Sequence, residues 1–118
     1  MFDRLDRATA ARLADGSAPL LHTDSHFWKF LYPLDASADR CVMFDWPLWQ
    51  TGLGGWDLGY MIAQHLYPEH RQRFEPHLFE HYAHALASHG VTRNLDDVTL
   101  DYRVGVAAGL LMPIMEFT

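Results

Sequence analysis

Two short stretches decide how this chain is organised: residues 22–29, with the sequence HTDSHFWK, and residues 42–46, with the sequence VMFDW. Each carries an aspartate beside an apolar run, Asp24 in the first stretch and Asp45 in the second. The two apolar runs are rich in aromatic and branched side chains and are separated by the turn-forming residues 33–39, so they predict a β-hairpin. Such a hairpin brings Asp24 and Asp45 to the same end of a small sheet.

A pair of carboxylates at one end of a sheet is the arrangement that phosphoryl transfer requires. One carboxylate, here Asp24, orients or deprotonates the attacking hydroxyl, and the other, here Asp45, holds Mg²⁺ on the phosphates. The alternative is that both are ordinary loop aspartates that cap turns. The residue pattern alone leaves both interpretations open.

The residues before and after the hairpin predict one helix, one short strand and a loop. Residues 2–14 place apolar side chains on one helical face, which the Asp-Gly pair at residues 15–16 ends. A strand follows at residues 20–22, and the glycine-rich residues 50–55 predict a loop.

Further along the chain the hydrophobic period becomes helical. An apolar stripe after Asp57 predicts a helix whose N-terminus Asp57 caps. Pro68 opens a second helix, within which Pro76 predicts a kink or a restart. Residues 96–111 predict a last helix that is apolar all round and therefore buried.

The composition is typical of a single globular domain. The chain has 118 residues, of which 49% are hydrophobic and 20% are charged, which is enough for one hydrophobic core. We predict one α+β unit, mostly helical, over residues 1–118. Its parts are a helix at 1–16, the hairpin region at 19–47 and a helical part at 56–118.

Charge and the length of the apolar runs argue against two classes of partner. Nine Lys and Arg against fifteen Asp and Glu give a net charge of −6, without the basic cluster that nucleic-acid binding requires. The longest apolar run, residues 104–115, is too short to span a membrane, and the N-terminus lacks the apolar stretch of a signal peptide. We therefore predict a soluble protein of the reducing cytoplasm, in which Cys41 is a buried thiol.

Three motifs follow one another along the chain: His-x-Asp-x-His at residues 22–26, a hydrophobic strand ending in Asp-Trp at 42–46, and Gly-x-Gly-x-x-Asp-Leu at 52–58. From about residue 10 onward, the chain therefore resembles the C-terminal lobe of aminoglycoside phosphotransferases and choline-kinase-like enzymes. These are ATP-dependent small-molecule kinases with a protein-kinase-like fold, in which a small β-hairpin lies beside a helical bundle. Residues 30–33 and the later helices are similar to the branch called ecdysteroid-kinase-like.

The resemblance implies a role for each residue that matches a motif. Asp24 matches the catalytic aspartate that accepts the proton of the substrate hydroxyl, and Asp45 matches the Mg²⁺ ligand. His22 and Asp57 match residues that support the catalytic loop, and His26 matches a phosphate contact. The implied cofactors are Mg²⁺ and ATP, neither of which is expected to bind tightly to this chain alone, and the implied substrate is a small-molecule alcohol.

Two departures from the family pattern bear on activity. Lys29 stands where the family has an asparagine that binds a second metal ion, and an ammonium group has no acceptor with which to bind Mg²⁺. Lys29 therefore either repels the metal ion or replaces it and contacts phosphate. Thr23 stands where the loop usually has glycine.

The residues that precede His22 do not resemble the N-terminal lobe of a kinase. No glycine-rich loop or strand lysine precedes His22, and Lys29 is the only lysine in the sequence. We therefore expect a truncated product that is inactive by itself; the alternative is a non-catalytic remnant or interaction module of the same fold. Without that lobe, apolar cleft residues would be uncovered and the chain is expected to self-associate. These residues are Phe27, Trp28, Phe44 and Trp46.

A competing motif lies in the second predicted helix. His77, Glu80 and His81 spell His-x-x-Glu-His, the pattern of one class of zinc hydrolases, and both histidines share a helical face. The simpler interpretation, which we favour, is that these are solvated side chains of an amphipathic helix. A phosphate-loop interpretation of the glycines at residues 52–55 is weaker still, because no Gly-Lys-Ser/Thr follows them.

Overall fold

The structure is a computed structural model that describes residues 7, 10, 11, 14, 18–35, 37–38 and 40–110. It is an α+β fold that is mostly helical, as the sequence predicts. The helix predicted at 1–16 lies outside the described residues, apart from four positions that are helical. The elements are β1 (Leu20–Leu21), β2 (Phe30–Leu31), β3 (Val42–Met43), β4 (Gln50–Thr51), α1 (Gly55–Leu58), α2 (Pro68–Ser88) and α3 (Leu95–Gly109).

Two small antiparallel sheets form the β part of the molecule. Strands β2 and β3 pair as the predicted hairpin, with Phe30 opposite Met43 and Leu31 opposite Val42. The hairpin is shorter than predicted, because Phe27–Lys29 form a 3₁₀ turn instead of a strand. The amide of Lys29 donates to the carbonyl of His26 (2.9 Å), and this turn bond takes the place of strand pairing.

The second sheet corrects the prediction of a loop at residues 50–55. Strand β4 pairs with β1, with Leu20 opposite Thr51 and Leu21 opposite Gln50. The amide of Gly52 donates to the carbonyl of Pro19 (3.1 Å), which extends the pairing by one bond. A strand of two residues has no period of its own, so the sequence pattern did not indicate it.

The helical part surrounds a core of four buried side chains, Ile62, Phe79, Val98 and Tyr102. Helix α1 continues directly into a π-helical segment, Gly59–Ala63, which carries Ile62 into this core. Helices α2 and α3 supply the other three residues.

Three predictions for the helices differ from the structure. Asp57 is not the N-cap of α1, because the helix begins at Gly55 and its N-cap is Gly54. Pro68 does open α2, and of the two outcomes predicted for Pro76, a kink or a restart, the restart is wrong, because one helix runs through this residue. Helix α3 buries one face rather than its whole circumference, since Leu100 is 48% exposed while Val98 and Tyr102 are buried.

Helix α3 begins at a side-chain cap. The Asn94 side-chain oxygen accepts from the amide of Asp97 (2.8 Å). This N-cap lies two positions before Asp96, the residue at which the sequence predicts that the helix begins.

Cys41 is exposed, so the prediction of a buried thiol is wrong. It lies just before β3, where the backbone leaves the turn of the hairpin. Within the described part of the chain, no helix is long and apolar enough to cross a membrane.

Candidate functional site

The loop that carries Asp24 is fastened to helix α1 by one residue, Asp57. The two oxygens of its carboxylate accept from the backbone amides of His22 (2.7 Å) and Thr23 (2.8 Å). Its backbone carbonyl accepts from the hydroxyl of Ser25 (2.9 Å). Three successive parts of the loop are therefore fixed to one turn of helix, which is the contact that the resemblance implies for Asp57.

His22 joins the same loop to the end of strand β3. Its side chain is buried, with 1% of its surface exposed, and its ring lies 4.7 Å from the ring of Trp46. Nε2 lies 2.9 Å from the carbonyl oxygen of Phe44, and Nδ1 accepts from the amide of Asp24 at 3.3 Å. A neutral ring with its proton on Nε2 satisfies both bonds. His22 thus links the backbone at Asp24 to the residue directly before Asp45.

Asp24 and Asp45 come together at Lys29, as the hairpin predicts. The ammonium group of Lys29 lies 3.1 Å from Oδ2 of Asp24 and also donates to Oδ2 of Asp45. The other oxygen of Asp24 accepts from the hydroxyl of Tyr60 at 3.2 Å. The two carboxylates thus share one cation.

The contact between Asp24 and Lys29 shifts the pKa values of these two groups. Partial burial raises the pKa of Asp24, but hydrogen bonds from Lys29 and Tyr60 outweigh it, and the pKa of this carboxyl lies below its usual value. Hydrogen bonds to Asp45 and then to Asp24 raise the pKa of the Lys29 ammonium group. At neutral pH both partners are charged, and the attraction between them is at full strength.

Both aspartate-bearing segments contain a residue with left-handed backbone. Thr23 has φ +68° and Asp45 has φ +65°, and they are the two described residues other than glycine with positive φ. The hydroxyl of Thr23 donates to the carbonyl of Leu48 (2.8 Å), which connects the loop to the segment after β3. Threonine is unfavourable in this conformation because it is β-branched, so other contacts must hold the backbone there.

Four rings lie beside Asp24. Nε2 of His26 is 3.6 Å from Oδ1 of Asp24, and the His26 ring lies 5.3 Å from Trp28 and 5.7 Å from His65. Tyr60 completes the group, with its ring 5.0 Å from that of His65. Trp28 is 71% exposed, so its indole ring is the part of this group that is most open to solvent.

Sequence reasoning missed Tyr60 and His65. Tyr60 could have been found, since it lies three residues after Asp57 in a continuous helix and both residues face the same loop. His65 follows the π-helical segment, where the spacing of an α-helix no longer applies.

The Mg²⁺ that the resemblance implies does not fit the residues as they are arranged here. Carboxylate oxygens are suitable ligands, and Asp24 and Asp45 supply them. However, the Lys29 ammonium group lies on both carboxylates, so the place between them already holds a positive charge. Among the residues that the structure describes, no group of three or more His, Cys, Asp or Glu side chains is arranged to hold a metal ion.

The competing zinc motif lies on the outer surface of α2. Nδ1 of His77 is 3.8 Å from Oε2 of Glu80, and the His77 side chain is 81% exposed. His81 is also exposed, and the described residues bring no third ligand to the pair. This geometry is that of solvated side chains on an amphipathic helix.

A cavity of about 260 Å³ opens elsewhere, where the chain entering β1 meets the three helices. None of the six predicted site residues is among the residues that line it. The lining residues include Pro19, Gly54, Leu58, Tyr82 and Val98.

Comparison of the chain with family models, with curated proteins and with solved structures returned no significant match.

Proposed function

We propose that this chain is the C-terminal lobe of an ATP-dependent small-molecule phosphotransferase that transfers a phosphoryl group to an alcohol. The observation that carries the proposal is the Asp24 loop. Its backbone is fixed by Asp57 and His22, and its carboxylate is oriented by Tyr60 and Lys29. A loop aspartate that merely caps a turn does not require such support from two other elements.

The chemistry assigned to the chain centres on Asp24. Its carboxylate would accept the proton of the acceptor hydroxyl while the hydroxyl oxygen forms a bond to the γ-phosphorus of ATP. The bond from that phosphorus to the β,γ-bridging oxygen breaks, and ADP leaves. The lowered pKa of Asp24 keeps this carboxyl ionised at neutral pH, the state in which it can orient the hydroxyl and accept its proton.

Nucleotide phosphates are normally accompanied by Mg²⁺, which would neutralise their charge, and the resemblance assigns Asp45 to it. In this structure the Asp45 carboxylate is engaged by Lys29. The remaining steps therefore rest on Asp24 and on the loop that carries it.

The acceptor would approach from the side of the four rings. The surface next to the Asp24 carboxylate is formed by the rings of His26, Trp28, Tyr60 and His65. A flat ring, such as an aryl group or the apolar face of a sugar, would stack on Trp28 and place a hydroxyl near Asp24.

The test supplies the nucleotide-binding half of a kinase. The 118 residues are fused to the N-terminal lobe of an aminoglycoside phosphotransferase, and phosphorylation of a panel of alcohols is followed by ³¹P NMR with Mg·ATP. We expect turnover that falls at least about 100-fold in Asp24→Asn, because a positioned general base contributes about that much. Asp35→Asn, in the exposed turn between β2 and β3, is the matched control and should leave turnover unchanged.

A second candidate, a non-catalytic remnant of the same fold, is favoured by one observation. Lys29 occupies the place between Asp24 and Asp45 where the resemblance implies metal binding. If the fusion binds ADP and is folded, but transfers phosphate neither as it is nor as Lys29→Asn, the phosphotransferase proposal is wrong. Turnover in Lys29→Asn alone would identify a remnant that keeps a working base.

A further inference from the structure

We infer that Lys29 is the resident cation of this site and that its ammonium group closes the Asp24–Asp45 pair to divalent metal ions. The inference deepens the proposed function, since it names the group that carries positive charge between the two carboxylates. Its test does not depend on phosphoryl transfer.

The contacts of Lys29 are those of a bridging cation. Its ammonium group reaches Oδ2 of Asp24 at 3.1 Å and donates to Oδ2 of Asp45, and the side chain is only 16% exposed. Two negative charges thus share one positive charge that belongs to the chain itself. Oδ1 of Asp24 is also engaged, by Tyr60 at 3.2 Å, so both oxygens of this carboxylate already have partners.

The backbone fixes where Lys29 can place its charge. The amide of Lys29 donates to the His26 carbonyl (2.9 Å), and its carbonyl accepts from the amide of Phe44 (3.0 Å). The residue is therefore anchored at the junction of the Asp24 loop and the strand end that carries Asp45. From this position the side chain of Lys29 reaches both carboxylates.

A divalent ion would have to displace this ammonium group. Mg²⁺ requires close to six oxygen ligands near 2.1 Å, and a lysine that remained nearby would repel it. Moving the lysine away breaks two ion pairs at once. Removal of the charge should therefore expose a cation site that the natural chain hides.

The experiment measures metal binding by the full 118-residue chain. Tb³⁺ is titrated while luminescence sensitised by indole excitation is recorded, because Trp46 directly follows Asp45 in the chain. Binding of Mn²⁺ by electron paramagnetic resonance is the second measurement. The variants are Lys29→Met, which removes the charge and keeps the length, Lys29→Asn, which adds an amide oxygen, and Lys29→Arg, which keeps the charge.

We expect saturable binding that is at least about tenfold tighter in Lys29→Met than in the natural chain, and tighter again in Lys29→Asn. Lys29→Arg should resemble the natural chain, and Asp45→Asn added to Lys29→Met should abolish the gain. Circular dichroism checks that each variant is folded, and Lys29→Gln replaces Lys29→Met if the latter is not.

Two results would overturn the inference. One is binding of Mn²⁺ by the natural chain as tight as that of Lys29→Met, and the other is a folded Lys29→Met or Lys29→Gln that gains no affinity. A gain in affinity combined with a phosphotransfer-inactive fusion would leave the inference standing and remove only the proposed function.

Discussion

At the scale of one residue, Thr23 shows that the backbone conformation of the loop depends on hydrogen bonds to neighbouring elements. A β-branched side chain at φ +68° costs about 1–2 kcal/mol relative to ordinary backbone. The cost is offset by the bonds from the amide of Thr23 to Asp57 and from its hydroxyl to Leu48. The glycine that the resemblance would place here carries no such cost, but it also has no hydroxyl.

Two substitutions of Thr23 separate strain from hydrogen bonding. Thr23→Val keeps the branched shape and loses the bond to Leu48, so we expect the free energy of unfolding to fall by about 1 kcal/mol. Thr23→Gly loses the same bond but relieves the strain, so it should be the less destabilising of the two. Urea unfolding of both variants measures the difference; a larger loss in Thr23→Gly would contradict this prediction, since relief of strain would then be smaller than the added freedom of the unfolded chain.

At this scale the motifs predicted which residues meet, but not every contact between them. The order of loop, hairpin and helix could be predicted from the sequence, and this order brings together His22, Asp24, Asp45 and Asp57. That Lys29 bridges both aspartates was not readable, because it depends on the direction of a long side chain leaving a 3₁₀ turn.

At the scale of elements, the contact of α1 with α3 depends on two glycines. A Cβ atom on Gly105 would lie 1.9 Å from the carbonyl oxygen of Gly55, and one on Gly55 would lie 1.8 Å from that of Asp101. The helices therefore touch backbone to backbone, which only glycine allows. This contact sets how deeply the turn that carries Asp57 sits against the core.

We expect Gly105→Ala to lower the free energy of unfolding by about 3 kcal/mol or more, because neither backbone can yield without moving a helix. Gly52→Ala is the matched control, since its Cβ would meet only the end of the flexible Leu21 side chain, at 2.8 Å. It should cost about 1 kcal/mol. Chemical denaturation of the two variants side by side checks this, and equal losses would contradict the backbone contact.

Helices α2 and α3 are also joined by a polar cluster at the edge of the core. The hydroxyl of Tyr102 donates to the Glu75 carboxylate and accepts from Nη2 of Arg71 at 3.3 Å. Arg71 and Glu75 are paired in turn at 2.9 Å. Burial and then the bond to Glu75 raise the pKa of Tyr102 to about 12, while the unfolded chain titrates near 10.0.

The raised pKa predicts a loss of stability in alkali. The phenol of Tyr102 ionises less readily in the folded chain than in the unfolded chain. Its contribution to the free energy of unfolding is therefore present in full below pH 10 and is lost as the pH rises from 10 to about 12. Tyr102→Phe should cost about 1–2 kcal/mol at pH 7 and flatten the decline above pH 10. Tyr82→Phe, on helix α2, controls for loss of a partly buried hydroxyl at neutral pH. A decline as steep in Tyr102→Phe as in the natural chain would exclude Tyr102 as its source.

The long elements could be predicted from the sequence, whereas the two-residue strand β4 could not. Helices α2 and α3 follow from periods sustained over several turns, and Pro68 marks the start of α2. Strand β4 is two residues long and is defined by its partner across the sheet rather than by its own pattern. The continuation of α2 through Pro76 reflects tertiary packing, which outweighs the local preference of one residue.

For the molecule as a whole, the β part leaves much apolar surface uncovered. Leu31 and Val42 lie opposite each other across the hairpin and both are 59% exposed. Of the four residues predicted to be uncovered, Trp28, Phe44 and Trp46 are exposed and Phe27 is half-buried. So many exposed large apolar side chains in one small part of a fold are typical of a face that another surface covers.

We therefore expect sedimentation velocity to show concentration-dependent association of the chain. The pair Leu31→Glu with Val42→Lys should weaken it at least about tenfold while preserving the hairpin, because opposite charges facing each other across an antiparallel pair are favourable. The pair Leu95→Glu with Leu100→Lys, on the exposed face of α3, is the control and should leave association unchanged. A chain that sediments as a sharp monomer at high concentration would contradict this prediction.

The π-helical segment Gly59–Ala63 has a consequence for how such a chain can change by insertion and deletion. A π turn holds one residue more than an α turn, and the loss of any single residue here would restore regular helix. Because the π turn already accommodates the extra residue within one turn, the helical register before and after the deletion would be kept. Asp57 would keep its loop and the chain beyond the turn would keep its direction, so this turn is a point at which the helix can lose one residue without re-aiming the site against the rest of the fold.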